Sequence, residues 1–172
     1  MASLMEELII ALEKEVEEYK TLLDLSLRKT AIIVSGDLDA LATITGEEQD
    51  AITSLSHVDR KREECMKDIA NVINKDVKTI KLADLITMLA SRPQEQKRLA
   101  TVHDNLSEIV AQVRRANEQN KQLIESSLEM VQFDLNILQA MKAAPETANY
   151  NRNAYAAGAV MGTEHGGFDS KR

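Results

Sequence analysis

The chain has 172 residues, a net charge of −7 and 44 % apolar residues, with three Tyr, two Phe and no Trp. That length fits one domain with a core of its own, and the scarcity of aromatics, Gly and Pro argues against a turn-rich all-β fold. Residues 1–34 carry seven acids against four bases, residues 35–78 carry ten against six, and the remainder balances; an acidic chain without a basic stripe is a poor partner for nucleic acid or an anionic membrane.

The single cysteine, Cys65, leaves no internal disulfide framework and fits a reducing cytosol. The opening "MASLMEELII" has no basic stretch before its apolar residues and meets acids at once, unlike a secretory signal. No apolar run is long enough to span a bilayer. These features together point to a soluble, cytoplasmic protein.

Leu, Ala, Glu, Lys, Gln and Met dominate, and all are good helix formers. A first helix is expected over 3–34, with an apolar stripe at Leu8, Leu12, Val16, Tyr19, Leu23, Leu27, Ala31 and Val34. "SGD" at 35–37 ends it: Gly36 suits a left-handed C-cap and Asp37 the next N-cap. A second helix is expected over 38–75, with Leu38, Leu41, Ile44, Ile52, Leu55, Arg62, Cys65, Ile69 and Val72 on its stripe. "TGEE" at 45–48 has capping-box spacing, so a break at Gly46 and a continuous helix both stay open. A short third helix covers 79–90. Ser91 and Gln94 then have capping-box spacing, and Pro93 suits a first turn. A fourth helix covers 93–142 and needs partners along its length, because long helices are stabilised by packing an apolar face.

The expected fold is all-α: an elongated antiparallel bundle of three long helices plus one short helix over 1–144, with a flexible, partner-binding C-terminal tail over 145–172. The tail is rich in Gly and Asn yet holds Tyr150, Tyr155 and Phe168, three of the five Phe and Tyr residues. A segment of that composition buries too little apolar area to fold alone.

Catalytic signatures are missing. His57, His103 and His165 are preceded at the Glu-x-x-His spacing by Ser54, Ala100 and Gly162, so a di-metal bundle site is not encoded. There is no phosphate loop, CxxC or HExxH, and Asp37 with Asp39 lacks EF-hand spacing. Cys65 lies on the second helix's stripe and reads as a buried thiol. The expectation is a non-enzyme with no cofactor and no metal.

The fourth helix carries "RRANEQNKQLIESSLEMVQFDLNILQAM". Asn117, Asn120, Ser127 and Asp134 share helical spacing with Ile124 and Val131; for Asn117 and Asn120 register control by a buried amide is the preferred reading and a partner groove the alternative. Further on, Leu128, Met130, Val131, Phe133, Leu135, Ile137, Leu138 and Met141 point to nearly all sides. A helix apolar all round must be covered all round. The first two helices are expected to cover one side, leaving the other to the tail, a second copy or a partner.

"LEKEVEEYKTLLDLSLRKTAIIVSGDLDAL" (12–41), "EEQDAITSLSHVDRKREE" (47–64), "ANEQNKQLIESSLEMV" (116–131) and the tail elements "NYNRNAYAAG" and "FDSKR" occur in an order and spacing that resembles the FlgN family of flagellar export chaperones. Residues 70–92 match it only loosely. The resemblance implies a cytosolic chaperone that binds the C-terminal helical segment of hook-associated (hook–filament junction) proteins. It would prevent their premature assembly and deliver them to the export gate of the flagellar type III apparatus. By position, it also implies partner contacts at Val131, Leu135 and Leu138 and in the tail, with Tyr150 matching a gate-docking tyrosine and Tyr155 matched more loosely. The apolar pattern of the fourth helix adds Leu128 and Met141 as partner-binding candidates, and the sticky aromatics of the tail add Phe168. A homodimer stays open. The competing reading is a coiled-coil adaptor or structural protein without an export role, which would show sustained heptads.

Overall fold

The computed structural model describes residues 2–143, and the tail beyond Ala143 lies outside the described residues. In chain order come α1 (Ala2–Ser35), α2 (Leu38–Val72), a 3-10 turn at Val77–Thr79, α3 (Leu82–Met88), a second 3-10 turn at Leu89–Ser91, and α4 (Pro93–Ala143). No strand occurs among the described residues. The chain divides into two compact units, Met1–Leu128 and the residues from Glu129 on.

The α1–α2 turn is built as its sequence dictates. Gly36 takes φ +70°, and its N–H lies 3.1 Å from the Ile32 carbonyl. Asp37 caps α2 by accepting from the Ala40 N–H at 2.9 Å. α2 is continuous through Gly46 and stops at Val72, three residues earlier than expected. The expected single helix over 79–90 is instead one α-turn segment between two 3-10 turns. Asp76 and Asp84 each accept from a backbone N–H at the start of a turn, which favours short local pieces over one helix. The cap before α4 is shifted by one residue from the expected Ser91: Arg92 precedes the helix, Pro93 is its first residue, and the Arg92 side chain meets Glu95 at 3.3 Å.

Within the first unit the order is up-down-up. The contacts Glu15–Arg62, Lys29–Glu48 and Arg28–Glu47 make α1 and α2 antiparallel. Glu6 and Glu13 meet Arg98, while Ser26 and Thr30 meet Asn117 and Asn120, so α4 runs parallel to α1. One core cluster joins Met5, Leu8 and Leu12 of α1 to Cys65 and Ile69 of α2, Leu85 of α3, and Leu99 and Val102 of α4. A second joins Leu22 and Leu25 to Ile44, Ala51 and Val113.

The seams follow a repeat that the apolar pattern hides. On α1, Met5, Leu8, Leu12, Glu15, Tyr19, Leu22, Ser26, Lys29 and Ile33 form alternating steps of three and four, a seven-residue repeat. All are buried or half-buried. On α2 the same repeat runs through Ile44, Glu48, Ala51, Leu55, Val58, Arg62, Cys65 and Ile69. On α4 it runs through Leu99, Val102, Leu106, Ile109, Val113, Ala116, Asn120 and Leu123. Helices that keep a repeat of about 3.5 residues wind around one another left-handedly. The sustained heptads expected of a coiled-coil adaptor are thus present, but these seams are covered within this one chain, so the repeat alone does not favour that reading.

This corrects the expected stripes. Leu27 and Val34 on α1 and Leu38, Ile52 and Val72 on α2 are exposed, while Leu22, Leu25, Ser26 and Ile33 are buried. Counting apolar residues in steps of four drifts away from a seam whose own steps include Glu15, Ser26 and Lys29.

Candidate functional site

The charged residues on the covered seams, and Ser26 and Asn120, each face a polar group from another helix. Glu15 is only 5 % exposed. Its Oε2 lies 3.2 Å from Arg62 Nε, but out of line, so both atoms are buried without a hydrogen bond. Arg62 also pairs with Asp59 one turn before it. Burial pushes the Glu15 carboxyl above the ordinary carboxylate range, against the pull of Arg62. Burial also works to lower the Arg62 guanidinium, but its hydrogen bond to Asp59 and the Glu15 charge outweigh this and raise it. Tyr19 and Cys65 are pushed up, again mainly by burial. Cys65 is buried as expected, and a raised thiol pKa makes it a weak nucleophile.

Lys29 Nζ meets Glu48 Oε2 at 2.6 Å in a half-buried pair. Asn120 donates from Nδ2 to the Ser26 carbonyl at 2.8 Å and accepts from Thr30 Oγ1 at 2.6 Å. Ser26 Oγ donates to Asn117 Oδ1 at 2.9 Å. The amides therefore fix the register of α4 on α1. Beside them lies an open cleft of about 620 Å³ lined by α1, α2 and α4; Tyr19, Leu22, Ile52, Val113, Asn117 and Ile124 are among its lining. The sequence marked only its amide rim, because Ile52 and Ile124 come from helices far apart in the chain.

The expected partner-binding residues of α4 are all on the surface. Leu128, Val131, Leu135, Leu138 and Met141 are 47 % to 69 % exposed, and Met130, Phe133 and Ile137 are exposed as well. Eight large apolar side chains open to solvent along a few helical turns form more apolar surface than scattered exposure explains. The burial expected on one side of this stretch is not found. Spacing divides these residues into two faces. Leu128, Val131, Leu135 and Leu138 form one; Met130, Phe133, Ile137 and Met141 form the other. Asp134 separates them on one side, and Gln132 and Asn136, hydrogen-bonded to each other at 3.0 Å, on the other. Tyr150, Tyr155 and Phe168 lie outside the described residues.

No cluster of three or more His, Cys, Asp or Glu able to hold a metal ion occurs among the described residues. No helix among them is long and apolar enough to cross a membrane. Among the described residues, no other element covers the apolar end of α4, a surface of the kind suited to another helix or an apolar segment.

A family model described as FlgN protein matches residues 1–158. The chain belongs to the FlgN family. Membership gives this FlgN-family protein its general role, that of a flagellar export chaperone, and the all-helical fold agrees with it. The match takes in the whole of α4, so the exposed apolar end is part of what the family model covers. No curated protein and no solved structure matches the chain.

Proposed function

We propose that this protein is a cytoplasmic export chaperone that holds the C-terminal helical segment of a hook-associated (hook–filament junction) protein on the exposed end of α4. The observation that carries the proposal is the eight solvent-open apolar side chains between Leu128 and Met141 in a member of the FlgN family. A terminal segment built to self-assemble is itself an amphipathic helix, and an unpartnered apolar helix face is the surface that such a helix covers. Leu128, Val131, Leu135 and Leu138 supply the contact from one face of this end and Met141 from the other. Tyr150, Tyr155 and Phe168 add to it from the tail, and Tyr150 docks the loaded chaperone on the export gate. The work is binding and release, and it needs no catalytic group and no cofactor.

Co-expression with the C-terminal segment of the same organism's junction protein tests this. A complex with one copy of each chain on size-exclusion chromatography with light scattering is expected, and Tyr150→Ala should keep that complex while weakening its capture by the gate protein. A protein that stays an obligate oligomer and ignores the segment would instead favour the structural coiled-coil reading.

A further inference from the structure

The seam of α4 does not stop where its burial stops. Continuing the steps of four and three from Asn120 and Leu123 reaches Ser127, Met130, Asp134, Ile137 and Met141. This is the same seven-residue repeat, now exposed, with Phe133 beside it and Val131 and Leu138 on its other flank. In the covered part of the bundle each charged seam residue meets an opposite charge from a facing helix: Glu15 meets Arg62 and Lys29 meets Glu48. Among the uncharged polar ones, Ser26 and Asn120 hydrogen-bond across the seam. In the exposed part, Ser127 satisfies itself on the Leu123 carbonyl at 2.8 Å. Asp134 is left on the seam with no ion pair among the described residues.

We propose that the exposed seam Met130–Asp134–Ile137–Met141 takes an amphipathic helix of seven-residue repeat that carries a basic residue opposite Asp134, and that this charge pair selects the partner. The inference rests on the chaperone reading and names what that reading leaves open: the feature by which a cargo helix is chosen. Charge complementarity is the argument for the occupant. An apolar residue placed against Asp134 leaves a carboxylate covered and unpaired, and an acid repels it. A second copy fits poorly. Parallel pairing in register sets Asp134 against Asp134, and the stretch 129–143 offers one base, Lys142, far from the seam centre.

The test uses the full chain and two synthetic three-heptad helical peptides, identical except for Arg or Glu at the central seam position. A charge there also keeps each peptide from pairing with itself. Calorimetric titration should give the Arg peptide an affinity about tenfold or more above the Glu peptide, since mismatched charges act as a repulsive filter. Asp134→Lys should reverse the preference, and Ile137→Asp should abolish binding of both, with helicity retained in each variant. Equal affinities, a preference unmoved by Asp134→Lys, or no binding of either peptide would overturn the proposal. So would self-association of the protein that Ile137→Asp abolishes, because the seam would then belong to a second copy. None of these results depends on the junction protein, whose own titration judges the chaperone reading separately.

Discussion

Asn120 shows how one side chain can set the alignment of two helices. It is 4 % exposed, and its amide both donates to and accepts from α1. Asn120→Ala should cost about 1–3 kcal/mol, because the Ser26 carbonyl and the Thr30 hydroxyl lose a buried partner. In a chain of this size that corresponds to roughly 2–4 °C of melting temperature per kcal/mol, which thermal unfolding followed by circular dichroism would read. Glu15 gives a pH signature. Its carboxyl in the folded protein is raised above the ordinary value of 4.5, first by burial. The folded state therefore holds this proton more tightly than the unfolded chain. The resulting stabilisation is fully present below the unfolded value and is lost as pH rises through the folded one. Glu15→Gln, which keeps the neutral shape, should thus gain stability relative to the parent as pH rises from about 4 to 7. Parallel melting curves of the two proteins would show no such trend if Glu15 titrated as a free side chain.

The four helices differ in how plainly their sequences announce their packing. The limits of α1 and α4, the Gly36–Asp37 turn and the buried Cys65 follow from local signals that no tertiary contact overrides. The seams do not. Glu15, Ser26, Lys29, Glu48, Arg62 and Asn120 occupy core positions, so a count of apolar residues breaks the repeat where the structure continues it. The information that restores it lies in the pairing of residues such as Glu15 and Arg62, which the sequence places far apart. The apolar end of α4 was legible because nothing else on that helix accounts for so many large side chains; its division into two faces required knowing which face continues the seam. Val131 and Leu138 flank that seam and are more than half exposed, at 55 % and 53 %. Replacing both with Asp should leave the melting temperature nearly unchanged, as surface substitutions do. Affinity for a cargo helix should fall by about tenfold or more per buried charge left unpaired. A large loss of stability in the double variant would mean that these side chains are covered within the protein itself.

At the level of the whole molecule, the first unit has core clusters that draw on all four helices, and the exposed apolar end of α4 is the part we propose binds cargo. Removal of residues 145–172 should therefore preserve helicity and melting, because both core clusters lie within residues 5–113. The same deletion should weaken cargo binding, since Tyr150, Tyr155 and Phe168 go with it. Loss of cooperative unfolding would place the tail in the core instead. The claim at the centre of the account is that the free end of α4 binds the assembly helix of a junction protein. Its most direct test is calorimetric titration of the intact chain with the C-terminal helical segment of its own organism's hook–filament junction protein. The account predicts saturable one-to-one binding with a negative heat-capacity change, the mark of apolar burial, and no such binding by the Val131→Asp/Leu138→Asp protein. Absence of binding at high micromolar concentration, or equal binding by the double variant, would contradict it.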